Sequence, residues 1–284
     1  MGTQHDSIAE HFLLNFNIVD LLKTAPSKRS FSERLQQLKL SSALEQKVLL
    51  VSTLPQNTTN SCPLRLDKHE EKELATEVLL LRHKFTQLVF ENAVFRQAAL
   101  TVIQNIYLFK QRKIFFGTPC SELPGEKERQ QALLLFSQSP HVTSIPLAQT
   151  FQHLMVARIW NRIVSQGSDE FLQSTPFKQL HSVIEQLNTL RNIYMILSTG
   201  LVAKLTANIN AIYRQSLSQE DAHQIGSFGV ARAAYRYHPS NGMRFSTYAS
   251  YWILKEIQRQ ALDGRLIRIS AHLVENFAKE AKEV

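Results

Sequence analysis

Cysteine is almost missing from this chain. Only Cys62 and Cys120 occur in 284 residues, and they lack the C-x-x-C spacing of a zinc or redox site. A disulfide framework or a structural zinc site is therefore not expected, and a reducing compartment fits. Glycine is scarce as well, at nine residues, and four of these fall between Gly226 and Gly264. That bias predicts tight helix–helix turns near the C-terminus. No apolar run reaches the roughly 18 residues of a membrane helix. The start, Met1 to Asp6, has neither the basic nor the apolar stretch of a signal peptide. Asn57-Thr58-Thr59 has the spacing of a glycosylation site, but without a secretory signal it reads as coincidence. The histidines and carboxylates form no metal or acid–base constellation, and there is no phosphate-binding glycine loop or nucleophile elbow. We expect a cytoplasmic protein with no membrane contact, no cofactor, no metal and no enzymatic activity.

What is present is a globular composition, 44% hydrophobic and 20% charged. The length suffices for one large or two modest domains with a buried core. The net charge of +8 and the pI near 9.5 favour a polyanionic partner.

Nearly every segment reads as helix, so the fold class is all-α. Residues 8–23 carry a broad apolar face from Ile8 to Leu22. A short helix pair follows over 32–39 and 42–53, with Ser42 and Glu45 at capping-box spacing. Leu54-Pro55 through Pro63 is polar and breaker-rich, which predicts a linker. A long helix starts near Asp67, with Glu70 as a second capping box, and runs through Leu74, Val78, Leu81, Phe85 and Leu88. Breakers at Gly117-Thr118-Pro119 and Pro124-Gly125 end it, and further helices fill 126–200. The expected organisation is an N-terminal helical segment over 1–54, a helical domain over 67–185 and a last unit over 186–284.

The last unit holds the densest chemical signal. Phe245, Tyr248, Tyr251 and Trp252 place four rings within eight residues, interleaved with Arg244, Lys255 and Arg259. Two readings stand. A core helix uses such rings for packing and solvates its charges. A nucleic-acid surface stacks the rings on unpaired bases while the cations follow the phosphates.

The wider string resembles region 2 of the bacterial sigma-70 family, the promoter-melting subunits of RNA polymerase. Phe245-Ser246-Thr247-Tyr248-Ala249, then Ser250 and Tyr251-Trp252-Ile253, match the family's most recognisable stretch. Upstream, Asp221, Gln224, Gly226 and Gly229 lead into an Ala/Arg-rich helix and Tyr237. Downstream come Asp263, Arg265, Ile267-Arg268-Ile269, His272 and Glu275, with one residue missing near Gly264. No gap is needed between Gly226 and Ile253, and matches in register over roughly 55 residues are far more specific than a short motif. The clear resemblance covers about residues 201–284. Glu73-Leu74-Ala75 also looks like the start of the Glu-rich helix that precedes a variable insertion in primary sigma factors.

The resemblance implies roles for particular residues. Asp221, Gln224, Gly226, Gly229 and Arg232 take the position that docks on the clamp helices of the largest catalytic subunit of core RNA polymerase. Ile225 stands where the family has a glutamate, which puts that contact in doubt. Arg244, Phe245, Thr247, Tyr248, Tyr251 and Trp252 take the position that opens promoter DNA at the minus-ten element and captures the non-template strand. There Tyr248 stacks on a flipped base, Phe245 and Thr247 wall its pocket, and Tyr251 and Trp252 form the wedge at the fork. Lys255 and Gln258 replace the usual Gln and Thr that read the upstream base pair; with Arg259 they face one groove. Lysine only donates, so a shifted base preference is expected. Arg265, Arg268, His272 and Glu275 match the region 2 to region 3 junction, where they meet phosphates and an extended minus-ten element.

Up to Val284 we expect no counterpart of region 4, the family's minus-thirty-five reader, either by nature or because the sequence is cut short of it. Two functions follow from the resemblance. One is an initiation factor that leans on extended minus-ten contacts, on an N-terminal partner or on a separate subunit supplying region 4. The other is a polymerase-binding regulator that competes with other sigma factors without initiating. A third reading is a helical interaction protein with a vestigial sigma module.

Overall fold

The computed structural model describes residues 22, 29–53, 66–105, 114–116, 125–137, 144–209, 211–214, 216–240 and 242–263. These are almost wholly helical, as the composition and periodicity predict. Among them the sole extended pairing is an antiparallel bridge between Phe115 and Phe151. The chain divides into two compact units, and each is discontinuous. One takes residues 1–39 and 76–189, the other residues 40–75 and 190–284.

Among the described residues the first helix of this unit is α1 (Phe31–Leu35), held by a capping box between Ser30 and Glu33. α2 (Ser42–Thr53) belongs to the second unit. The long helix α3 (Lys68–Glu91) starts in the second unit and continues into the first. Its end is set by Asn92, whose side-chain oxygen accepts from the amides of Val94 and Phe95 and so caps α4 (Ala93–Asn105). α4 packs against α5 (Gly125–Ser137) and α6 (His153–Gln166). α7 (Asp169–Gln173) leads into α8 (Thr175–Leu197), which passes from the first unit into the second at Leu190.

Phenylalanines fill the first core. Phe151 stacks on Phe136 at 5.0 Å, and Phe136 meets Phe90 edge-on at 5.7 Å. A second cluster joins Trp160 to Phe177 at 5.4 Å. Buried Glu128 accepts from the Ile114 and Phe115 amides, and the Thr86 hydroxyl accepts from the Phe151 amide. These two side chains satisfy backbone groups that no helix serves.

In the second unit, α9 (Thr199–Ala207) and α10 (Ala211–Arg214) lead to α11 (Gln219–Arg236) and α12 (Phe245–Asp263). α11 and α12 pack along each other, and α9 lies against both. Leu44, Val48 and Val51 of α2 and Leu74 and Ala75 of α3 are buried. Lys47 pairs with Glu70 at 2.7 Å. The capping box at Asp67 and Glu70 forms as the spacing predicts, both bonds at 2.7 Å. That at Ser42 does not take this position: α2 starts at Ser42 itself, and the Glu45 amide donates to Ser41 O. Ser41 is held by Glu73, so a tertiary acceptor displaced the local box.

Candidate nucleic-acid interface

α11 starts at an N-cap, Ser218, whose hydroxyl accepts from the Asp221 amide and donates to its carboxylate at 2.7 Å. It ends at Tyr237, and the Tyr237 hydroxyl donates to Met243 O at 2.6 Å, closing the turn into α12. Gly242 sits in that turn at φ 71°, a left-handed conformation that side chains disfavour.

α12 sorts its residues by face. Phe245, Ala249, Ile253, Ile257 and Ala261 recur every four residues and are all buried. Ile253 and Ile257 pack against α11, where the helices approach closely. A Cβ on Gly229 would lie 2.6 Å from Ile253 Cα and 2.8 Å from Trp252 O. One on Gly226 would lie 2.8 Å from Val202 Cγ1. Thr247, Tyr251 and Lys255 lie on the outer face, with Tyr248 and Trp252 half-buried beside them.

The two readings of the aromatics divide by residue. Phe245 is 3% exposed and packs on Tyr194, ring centres 4.4 Å apart, and on Tyr237 at 5.3 Å. It lies in the core. Tyr251 is 59% exposed and meets Trp252 edge-on at 5.6 Å. Tyr248 lies between Tyr237 at 5.7 Å and Trp252 at 6.3 Å. Burial raises the Tyr248 phenol pKa, opposed by the Trp252 indole and the Arg236 charge. Arg236 lies 4.9 Å from the centre of the Trp252 ring. Lys255 Nζ lies 5.4 Å from the Tyr251 ring and 5.7 Å from that of Trp252, and donates to the Tyr251 hydroxyl at 3.2 Å. The result is a half-open shelf of three rings braced by two cations, which suits stacking on flat, electron-rich groups next to anions.

The profile described as Sigma-70 region 2 matches residues 200–265. This segment is similar to region 2 of the sigma-70 family. The chain is 28% identical over 136 residues to the RNA polymerase principal sigma factor HrdD of Streptomyces coelicolor, covering 48% of this chain and 39% of that one. To the RNA polymerase sigma factor SigA of a Nostoc species it is 41% identical over 69 residues, 24% of this chain and 18% of that one. To the sigma-C factor of the same species it is 32% identical over 105 residues, 33% of this chain and 25% of that one. The chain thus spans well under half the length of these relatives.

The residues singled out from sequence are placed differently by the fold. Thr247, Tyr248, Tyr251, Trp252 and Lys255 come together on the shelf, with the exposed Lys255 near the Tyr251 and Trp252 rings. Gln258 and Arg259 continue the same helix half-buried, and Arg259 pairs with Glu256 at 2.7 Å. On α11, Gln224 is exposed and Asp221 half-buried. Gly226 lies closest to Val202 of α9, and Gly229 to the backbone of α12. Arg232 turns inward, 3.4 Å from the buried Glu256 of α12. Ile225, standing where the family carries a glutamate, is fully buried, so its side chain joins the core. Arg244 is tied to Glu71. Arg265, Arg268, His272 and Glu275 lie outside the described residues.

Sequence reasoning missed Glu71, Tyr194, Arg236 and Glu256. Only Arg236 left a local trace, at the end of the Arg-bearing helix before Tyr237. Among the described residues no helix is long and apolar enough to cross a membrane, and no group of three or more His, Cys, Asp or Glu is arranged to hold a metal ion.

Proposed function

We propose that this chain is a transcription initiation factor that binds core RNA polymerase and captures unpaired bases of the promoter minus-ten element. The observation that carries this reading is the α12 shelf, where Tyr248, Tyr251 and Trp252 stand together under Arg236 and Lys255 inside a segment matching sigma-70 region 2. Unstacking a base costs a few kcal/mol, and each ring–base stack returns about 1–3 kcal/mol, so a small ring cluster offsets strand opening. Tyr251 is the most exposed ring and takes the fork position; Trp252, with both cations near its ring, stands behind it. Tyr248 receives the extruded base. Lys255, a donor without acceptors, meets phosphate or a guanine edge. The outward face of α11, with Asp221 and Gln224, docks on the polymerase clamp helices, where polar groups set orientation.

The test is binding of single-stranded minus-ten non-template DNA by the full chain, with and without core polymerase. Core-dependent binding should fall about tenfold or more in Tyr248→Ala, as expected for one lost stack, and should weaken with salt. Core binding without strand capture would sink this reading in favour of a competitor of other sigma factors.

A further inference from the structure

We propose that Glu71 is a positioning residue for the strand-capturing helix, and that Arg244 works through Glu71 instead of contacting phosphate. The residue before the first helical position of α12 is Arg244, whose side chain can only donate. The usual capping side chains accept from the first-turn amides. Here the acceptor comes from 174 residues earlier in the chain. Glu71 Oε2 accepts from the amide of Phe245, the first residue of α12, at 3.1 Å. The same carboxylate accepts from Arg244 Nε at 3.0 Å through both oxygens. Arg244 Nη2 also donates to Leu66 O at 2.5 Å, one residue before the Asp67 cap of α3. Glu71 is only 4% exposed. It sits in the first turn of α3 and places a negative charge at the start of α12, so two helix N-termini share one anion.

What this contact fixes is the first turn of α12, which carries Phe245, Thr247 and Tyr248. Phe245 is wedged between Tyr194 and Tyr237, and Tyr237 in turn touches Tyr248. The base-receiving ring is therefore set by a stack whose backbone anchor is Glu71. Arg244, with its guanidinium committed to a buried carboxylate and a carbonyl, is spent on that anchor. Only the DNA consequence rests on the proposed strand capture.

Amide hydrogen exchange of the full chain tests the positioning role without DNA. Glu71→Ala should raise exchange over 245–248 about tenfold, the equivalent of one charge-assisted hydrogen bond, while amides of α6 stay unchanged. Glu71→Gln, which keeps an acceptor and loses the charge, should fall between. Arg244→Ala should loosen the same turn, and the double variant should be no worse than Glu71→Ala alone, because both act through one contact. With core polymerase, Glu71→Ala should also weaken minus-ten strand binding while leaving the salt slope unaltered, since no phosphate contact is lost. Unchanged exchange in Glu71→Ala overturns the proposal. So does an Arg244→Ala variant that lowers the salt slope by about one with exchange unaffected. If Glu71→Ala unfolds the chain, Glu71→Gln decides by the same exchange readout. Absence of strand capture by the wild type would count against the proposed function alone, and the exchange result would still decide this one.

Discussion

Tyr194 is buried at the centre of the second unit, and its hydroxyl has no hydrogen-bond partner among the described residues. Burial raises its pKa well above the ordinary phenol value of 10.0, and the nearby Tyr237 and Glu71 push in the same direction. The folded state therefore holds this proton when the unfolded chain has released it. Its contribution to stability is intact below the ordinary phenol value and is lost as pH rises above it, by up to about 1.4 kcal/mol per pH unit. Chemical unfolding across that range should show the decline, and Tyr194→Phe should make it shallower. At neutral pH the same variant should be neutral or stabilising by about 1 kcal/mol, because it removes an unpaired buried hydroxyl and keeps the ring against Phe245. A marked loss of stability in Tyr194→Phe would reveal a partner for that hydroxyl.

At the scale of elements, the α11–α12 pair couples packing to the shelf. Gly229 faces backbone atoms of Ile253 and Trp252, which cannot rotate away. Gly229→Ala should therefore cost at least about 1–3 kcal/mol and displace Trp252 along with its helix. Thermal unfolding reads the first effect and Trp252 fluorescence the second; the chain's other tryptophan, Trp160, lies in the first unit and serves as reference. Gly226→Ala meets first the side chain of Val202, so its cost should be smaller. Equal penalties at the two glycines would argue that the approach is set elsewhere. Between the same helices, Glu256 is buried with Arg232 and Arg259 beside it. That carboxylate is a buried anion that both Arg232 and the more open Arg259 face.

At the scale of the whole molecule, the second unit needs residues 40–75 as well as its C-terminal helices. A fragment over 190–284 lacks Glu71 and the buried side chains of Leu44, Val48, Val51, Leu74 and Ala75. It should not melt cooperatively by circular dichroism, and supplying 40–75 should restore a transition. Cooperative melting of the short fragment would make the early segment an accessory and not a part of the unit.

The helices were legible in the sequence because periodicity is local. The core stripe of α3, its Asp67–Glu70 cap and the run of helices after residue 125 could all be read without coordinates. So could the concentration of rings and cations on α12, because a motif needs only neighbours in the chain. Which ring is core and which is shelf was not legible, since Phe245 and Tyr251 differ in exposure through the placement of Tyr194, Tyr237 and α11. Nor was the fate of the cations. From sequence Arg244 and Arg259 read as facing DNA and Arg232 as facing polymerase, and each also meets a carboxylate in the fold, two of them the same one. Helix class, motif and charge excess were determined by the sequence alone, because each depends on residues a few positions apart. The cap of α12, the burial of Ile225 and the choice of rings left in the open were decided only by tertiary structure, because each depends on groups that the chain brings together from far away.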